Sequence, residues 1–282
     1  MKATETTGIF KTWLHRIPLL LGAVVVLGLL VVAVAAPWLA PFPPDQLNLV
    51  NDLAPPGGAH LLGTDENGAD VLSALLYGAR VACLVGLGTV AVCAGVGVTL
   101  GATAGYFGGL VDEVLMRIID VLMAFPGILL AILLIAITRE PSISSVILAL
   151  SLTGWAGYAR LVRAQVLSLR ERPFVVAARA MGAPAPRIIF RHLIPNALAP
   201  VIVQATFGIA SAILAEASLS FLGLGPEGQP SWGALLDQGA RYFLVSGHLA
   251  FFPGLAILIT VVGINLLGDA LRDHLDPRGD RG

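Results

Sequence analysis

Six long apolar stretches are the feature of this 282-residue sequence that most limits its fold. The hydrocarbon core of a bilayer is about 30 Å thick, and a helix of roughly 20 apolar residues crosses it. Inside lipid, a segment must satisfy its own backbone amides and carbonyls, which a helix does. The sequence therefore predicts an all-α, polytopic transmembrane helical bundle of about six spans. The predicted spans are 17–36, 81–105, 118–138, 143–159, 197–215 and 249–268.

The composition favours a membrane protein over a soluble one. Hydrophobic residues make up 56% of the chain and charged residues 12%, whereas about a quarter of the residues of a soluble domain are charged. The net charge of −1 gives no indication of a nucleic-acid partner. Cys83 and Cys93 lie too far apart along one predicted helix for a disulfide, so neither a disulfide nor a metal site is predicted.

The positions of the basic residues predict the orientation of the chain. If the amino terminus is cytoplasmic, 14 of the 17 lysines and arginines lie on that side, and only Arg80, Arg139 and Arg241 lie on the other. Cytoplasmic segments carry the excess of basic residues, so both termini are predicted to be cytoplasmic. The sequence Ala33-Val34-Ala35 also fits a signal-peptidase site, but the apolar run before it is long enough to be retained as the first span.

The chain divides into a cytoplasmic tail (1–16), a first transmembrane helix (17–36), an extracytoplasmic segment (37–80) and a five-helix transmembrane core (81–282). In the extracytoplasmic segment, Thr64 is predicted to cap a short amphipathic helix that runs to Tyr77. The core contains a cytoplasmic loop at 160–196 and an extracytoplasmic loop at 216–248, with a helix predicted from Trp232 to Tyr242.

Small residues in the second span predict close helix packing. Gly97, Gly101 and Gly105 recur at every fourth position and share one helix face. Glycines at this spacing let two helices approach closely within a membrane.

The positions of the charged residues bear on how this chain could drive transport. A Walker A loop needs a lysine to reach the nucleotide phosphates, and the two lysines, Lys2 and Lys11, both precede the first span. The chain is therefore not predicted to hydrolyse ATP itself. Ion-coupled carriers usually keep ionisable groups inside their spans, but the nearest candidates here, Glu216 and Asp269, lie at span ends and are interpreted as interfacial. A sodium site built from backbone carbonyls stays open.

The cytoplasmic loop is predicted to contain two short helices with a sharp corner. Pro173 suits the first turn of one helix, and Gly182 suits its left-handed end. Pro184 then begins a second helix, and Pro195 marks its exit. Exposed apolar side chains flanked by arginines predict a docking surface, although contact with the lipid interface stays an alternative. These side chains are Phe174, Val175, Ile188, Ile189 and Phe190.

This loop resembles the EAA loop of ATP-binding-cassette (ABC) importer permeases. In that motif an alanine pair precedes a glycine, and a proline follows thirteen residues later, as Ala177, Ala178, Gly182 and Pro195 do here. The glutamate of the motif is replaced by Val176. His192 occupies a position where many families have isoleucine.

The sequence around His192 is similar to the dipeptide, oligopeptide and nickel branch of these permeases, and further segments match it in order. Departures from the branch are Asn67, Ala69 and Ala74; arginines are common in relatives at the last two positions. The matching positions are 62–66, 70–73, 77–80, 105–109, 112, 116–117, 125–126, 157–163, 216–225, 230–233, 265–269, 271–273 and 275–278.

The resemblance implies the type I ABC importer architecture and a multi-pass protein of the bacterial cytoplasmic (inner) membrane. It also implies a heterodimer with a homologous permease, two ATPase subunits that bind ATP and Mg²⁺, and an extracytoplasmic substrate-binding protein. No catalytic, cofactor or metal site is expected in this chain.

The implied substrates are di- or oligopeptides, with nickel or another metal chelate, glutathione or an oligosaccharide as alternatives. The other classes considered are an ion-coupled secondary transporter and a structural membrane protein. The predicted ATPase-coupling residues are Phe174, Val176, Ala177, Ala178, Gly182, Ile188, Phe190, His192 and Pro195.

Overall fold

The described part of the chain is built from helices. The structure, a computed structural model, describes residues 3–44, 46, 48–138 and 141–275. A π-helical turn, Ile189–Leu193, joins the seventh helix to the eighth. The helices are α1 (Ala3–Leu39), α2 (Val71–Phe107), α3 (Gly109–Ala124), α4 (Gly127–Ile137), α5 (Ile143–Leu169), α6 (Pro173–Ala180), α7 (Ala185–Ile188), α8 (Ile194–Phe221), α9 (Trp232–Arg241) and α10 (His248–Leu275).

The prediction of a helical bundle with about six spans is confirmed. Five continuous helical segments are long and apolar enough to cross a membrane, and α3 with α4 gives a sixth when the bent pair is counted as one span. The continuous segments are Ile17–Leu39, Val71–Phe107, Ile143–Leu169, Ala185–Phe221 and His248–Leu275.

The third span is two helices and not the single helix predicted over 118–138. Helix α3 ends at Ala124, α4 begins at Gly127, and the two meet at an angle of 79°. Phe125 between them has an extended backbone, with φ −90° and ψ 137°. A residue before proline is pushed out of the helical region by the proline ring, so Pro126 explains the break.

The prediction of a separate amphipathic helix that begins at Thr64 was wrong. The helix that contains Tyr77 is the first part of α2, which starts at Val71 and runs for 37 residues. Its cap is Asp70, whose carboxylate accepts hydrogen bonds from the backbone amide and the hydroxyl of Ser73, both at 2.8 Å. Thr64 is buried instead, and its hydroxyl accepts a 2.8 Å hydrogen bond from the amide of Ala54. At about 1.5 Å per residue, α2 is roughly 55 Å long and extends well beyond a bilayer core.

Helices α2 and α5 pack closely through the predicted glycine face. A Cβ atom added to Gly101 would overlap the backbone of Ala159 on α5. A Cβ atom on Gly105 would lie 2.9 Å from the carbonyl oxygen of Arg163, and Gly97 faces α5 in the same way. The prediction that these glycines allow close helix packing is confirmed.

Glu216, which the sequence predicts to be interfacial, lies near the carboxyl end of α8. The helix continues past this residue to Phe221, and the Glu216 side chain is buried and accepts a 2.7 Å hydrogen bond from the hydroxyl of Ser220. Helix α9 lies where a helix was predicted from Trp232. The indole nitrogen of Trp232 donates a 2.9 Å hydrogen bond to the carbonyl oxygen of Leu75, which joins α9 to α2.

Candidate coupling surface and intramembrane cavity

The first helix of the 160–196 loop ends as the sequence predicts. Helix α6 begins at Pro173 and is followed by Gly182, whose φ is +79°. The amide of Gly182 donates to the carbonyl of Arg179, and the amide of Ala183 donates to the carbonyl of Ala178 at 3.1 Å. This bond spans five residues, as in a Schellman helix end. Glycine adopts the left-handed conformation without the steric cost that other residues bear, so Gly182 fixes the corner between α6 and α7.

The prediction that Pro195 ends the second loop helix was wrong. Helix α7, the π-helical turn and α8 form one continuous segment, Ala185–Phe221. The amide of Ile194 donates to the carbonyl of Ile189, five residues earlier. Proline inside an α-helix removes a hydrogen bond and clashes with the preceding turn, and π-bulges are a known way to interrupt the regular bonding pattern. The wider turn thus lets the helix pass Pro195, so the second loop helix and the fifth span are one element.

Three of the five apolar side chains predicted to form the docking surface, Val175, Ile188 and Ile189, point inward. Val175, Ala178, Ile188 and Ile189 are buried, and they pack in one cluster with Val166 of α5. Ala178 and Ile188 are therefore covered by this chain itself and support the exposed side chains from beneath. Burial of this cluster fixes the loop against the bundle, because interiors pack densely and deform little.

The exposed apolar side chains of the loop are defined here as the coupling surface. Phe174 is 41% exposed, Val176 50% and Phe190 59%. Met181, which was not among the predicted residues, is the most exposed of them. Of the remaining predicted residues, Ala177, Gly182 and Pro195 are exposed, and His192 is half-buried.

Two arginines of the loop region hold it to the end of α2. The guanidinium of Arg170 donates a 3.1 Å hydrogen bond to the carbonyl oxygen of Gly105. The last carbonyls of a helix lack partners within the helix, so this bond satisfies one of them. The guanidinium of Arg179 lies 4.9 Å from the ring centroid of Tyr106, a cation–π contact.

Two more arginines join α5 to α3. Arg163 forms a two-pronged ion pair with Asp112, and Arg160 forms an ion pair with Asp120. Paired guanidinium and carboxylate groups of this kind have fixed geometry. The sequence predictions used Arg160 and Arg163 for the orientation and for the family resemblance, and they did not include these ion pairs. The two arginines are three residues apart and the two aspartates are eight apart, so each set lies on one side of its helix. This spacing could have predicted that the two helices pair.

A cavity of about 320 Å³ lies between α2, α4, α5 and α8. Among the described residues that line it, none carries a formal charge. Apolar side chains alternate there with hydroxyl and amide groups. The polar lining residues are Thr89, Thr153, Tyr158, Gln204 and Ser211.

Two family models match this chain. The model described as "Binding-protein-dependent transport system inner membrane component" matches residues 97–281, which include the coupling surface and all residues around the cavity except Thr89, Val90 and Cys93. The model described as "N-terminal TM domain of oligopeptide transport permease C" matches residues 16–56, which include the first span.

Several curated proteins are similar over most of their length. The dipeptide transport system permease protein DppC of Alkalihalophilus pseudofirmus is 41% identical over 92% of this chain and 85% of its own. The DppC protein of Haemophilus influenzae is 39% identical over 92% of this chain and 90% of its own. The glutathione transport system permease protein GsiD of Pectobacterium atrosepticum is 43% identical over 79% of this chain and 74% of its own.

These matches agree with the helical spans and with the loop motif. The chain therefore belongs to the family of binding-protein-dependent transport system inner membrane components, and it is a multi-pass inner-membrane permease component of an ABC importer, a transport subunit and not a catalytic one.

Proposed function

We propose that this chain pairs with a homologous permease to form the path by which di- and oligopeptides enter the cell. Two separate ATPase subunits bind and hydrolyse ATP, and an extracytoplasmic binding protein delivers the peptide. The names of the similar dipeptide permeases support the substrate class. The position of both lysines, Lys2 and Lys11, before the first span supports ATP hydrolysis in other subunits.

The observation that carries the proposal is the exposed coupling surface on a rigid loop. Phe174, Val176 and Phe190 expose apolar area on a segment with arginines at 170, 172, 179, 187 and 191. Aromatic side chains of this kind anchor protein interfaces when a partner pocket covers them. We assign this surface, together with Ala177, Gly182, His192 and Pro195, to contact with an ATPase subunit. The buried residues Ala178 and Ile188 keep its shape.

The continuity of α7 with α8 explains how movement of the surface reaches the membrane. Phe190 lies in the π-helical turn, and Gln204 lines the cavity fourteen residues further along the same helical segment. At about 1.5 Å per residue, this distance is roughly 21 Å. When the ATPases close on ATP, displacement of the loop moves the cavity wall through one continuous helical segment, which contains Pro195 and Pro200. Helix α5 moves with it, because Val175 packs in the same cluster as Val166.

Glutathione is the second candidate substrate, because a similar protein is a glutathione transport permease. Glutathione is itself a small peptide with amide groups and charged ends. In this proposal both substrates use the same translocation path, and the binding protein decides which of them arrives.

Copurification tests the proposal. The chain is tagged, expressed with its operon, solubilised in mild detergent and captured, and the bound proteins are identified by mass spectrometry. We expect one homologous permease and two copies of ATPase subunits. Phe190→Ser should release the ATPases, because loss of an aromatic anchor costs about 2 kcal/mol or more, which is roughly a thirtyfold weaker association.

Phe251→Ser is the matched control. Phe251 is 62% exposed, close to the 59% of Phe190, but it lies on α10 near the predicted extracytoplasmic side. This variant should retain the ATPases. Equal retention by both variants would show that the coupling surface does not hold the ATPases, and recovery of the chain without any ATPase would contradict the proposed function.

A further inference from the structure

A buried threonine hydroxyl in the cavity lacks a partner. Thr89 is 6% exposed and lines the cavity, and its hydroxyl oxygen, which is itself buried beside the cavity, has no hydrogen bond to any described residue. Other threonines of α2 are satisfied, since Thr99 donates to the carbonyl of Gly95 at 2.8 Å and Thr103 donates to that of Thr99 at 2.7 Å. A buried hydroxyl without a partner destabilises a protein, and such a group therefore points to a ligand that satisfies it.

The cavity lies about halfway along its helices. Thr89 is the middle residue of α2, eighteen residues from each end and thus about 27 Å from each. Thr153 lies near the middle of α5, and Gln204 and Ser211 lie on either side of the middle of α8. All four residues lie within the predicted spans 81–105, 143–159 and 197–215, where lipid offers polar side chains no hydrogen bonds.

The break in the third span adds hydrogen-bond donors to the same cavity. Gly127 and Ile128 line it and form the amino end of α4. The preceding residue, Pro126, provides no side-chain cap. The first hydrogen bond of α4 runs from the amide of Leu129 to the carbonyl of Pro126. The amino end of a helix carries a partial positive charge and unbonded amides, so the cavity is rich in donors but contains no cationic side chain.

We propose that this cavity is a weak binding site for the backbone of the peptide in transit, with Thr89 and Gln204 donating hydrogen bonds to its carbonyl oxygens. The inference rests on the proposed function. Peptide carbonyls are neutral, strong acceptors, which matches a lining of donors without charge. The volume of about 320 Å³ is at the lower end of the range of about 300–1,000 Å³ for small-molecule sites. The absence of charge keeps binding weak, as passage through a pore requires.

Uptake of radiolabelled dialanine by proteoliposomes that contain the complete importer tests the site. Thr89→Val keeps the shape of the side chain and removes only the hydroxyl. Loss of one hydrogen bond should lower the maximal uptake rate about two- to tenfold, at saturating binding protein and ATP. Thr89→Ser retains the hydroxyl and should restore most of the rate. Thr99→Val is the control, because it removes a hydroxyl of the same helix that is already bonded to a backbone carbonyl.

Stability separates a binding role from a structural one. Removal of an unpaired buried hydroxyl should leave the melting temperature of the complex unchanged or raise it. If Thr89→Val instead prevents assembly, Gln204→Met tests the binding site in its place, since it removes the amide of an exposed side chain that lines the cavity. This variant should lower uptake by a similar factor.

The outcomes distinguish this proposal from the proposed function. Uptake of dialanine at the full rate by Thr89→Val, with the unmodified complex active, would overturn the site alone. The same result for Gln204→Met would overturn it where Thr89→Val does not assemble. No dialanine uptake by the unmodified complex would overturn the peptide function and the site together.

Discussion

Replacement of Gly101 by alanine tests the close packing of α2 on α5. The new Cβ atom would overlap the carbonyl oxygen, carbonyl carbon and Cα atom of Ala159. These are backbone atoms, so no side-chain rotation relieves the overlap, and the two helices must move apart. Overpacking of this kind costs about 1–3 kcal/mol, whereas alanine in a helix is about 0.5–1 kcal/mol better than glycine. The difference of these two ranges is about 0–2.5 kcal/mol, and because the new atom overlaps three backbone atoms we expect a net loss of roughly 1–2 kcal/mol in the free energy of unfolding.

Gly95→Ala is the matched control on the same helix. Beyond its own helix turn, a Cβ atom at Gly95 meets no atom of the described residues within 4 Å, so this variant should be neutral or more stable by about 0.5–1 kcal/mol. Thermal unfolding of the complex in detergent, followed by circular dichroism, gives both values. The Gly101→Ala variant should melt several degrees lower, since 1 kcal/mol corresponds to roughly 2–4 °C in a chain of this size. Equal melting temperatures for the two variants would refute backbone contact between the helices at this position.

Three further changes probe the loop and its supports. Gly182→Val should uncouple ATP hydrolysis from uptake while the chain still inserts in the membrane, because the left-handed conformation costs roughly 1–2 kcal/mol for ordinary residues and more for β-branched ones. Gly182→Asn tolerates this conformation and should retain more uptake. Normal coupling in the valine variant would contradict the role of the corner. Asp112→Asn and Arg163→Gln should each lower the free energy of unfolding, and a double-mutant cycle should give a coupling energy of about 0.5–3 kcal/mol. If the two changes in this free energy simply add, the ion pair is not formed. Trp232→Phe should lower the free energy of unfolding by about 0.5–1.5 kcal/mol through loss of the bond to Leu75, and an unchanged melting temperature would contradict that contact.

The sequence predicts the spans and the glycine face because both depend on regular spacing. An apolar run of span length indicates a membrane helix, and glycines at every fourth position indicate close packing, whatever the rest of the chain contains. The bend at Pro126 was missed because the apolar run continues through it, although the local effect of proline on Phe125 was available. The start of α2 was misplaced at Thr64 because two polar residues suited a cap, and only the folded chain shows that Asp70 bonds Ser73.

The coupling surface was predicted only in part. Gly182 was placed correctly because the left-handed end of a helix has a strong local signal. The burial of Ala178 and Ile188 depends on contact with α5, which is distant in sequence. The cavity was not predicted, because Thr89 and Gln204 lie in different spans and each looks like an isolated polar residue in an apolar run.

The most direct test of the central claim is ATP-driven peptide uptake by the purified complex. The importer is reconstituted in proteoliposomes with ATP on the side of the ATPase subunits, and labelled dialanine and the binding protein are added on the other side. The account predicts uptake that requires ATP hydrolysis, the binding protein and both permeases. Uptake by this chain alone, without nucleotide and abolished by an ionophore, would contradict it and identify an ion-coupled carrier.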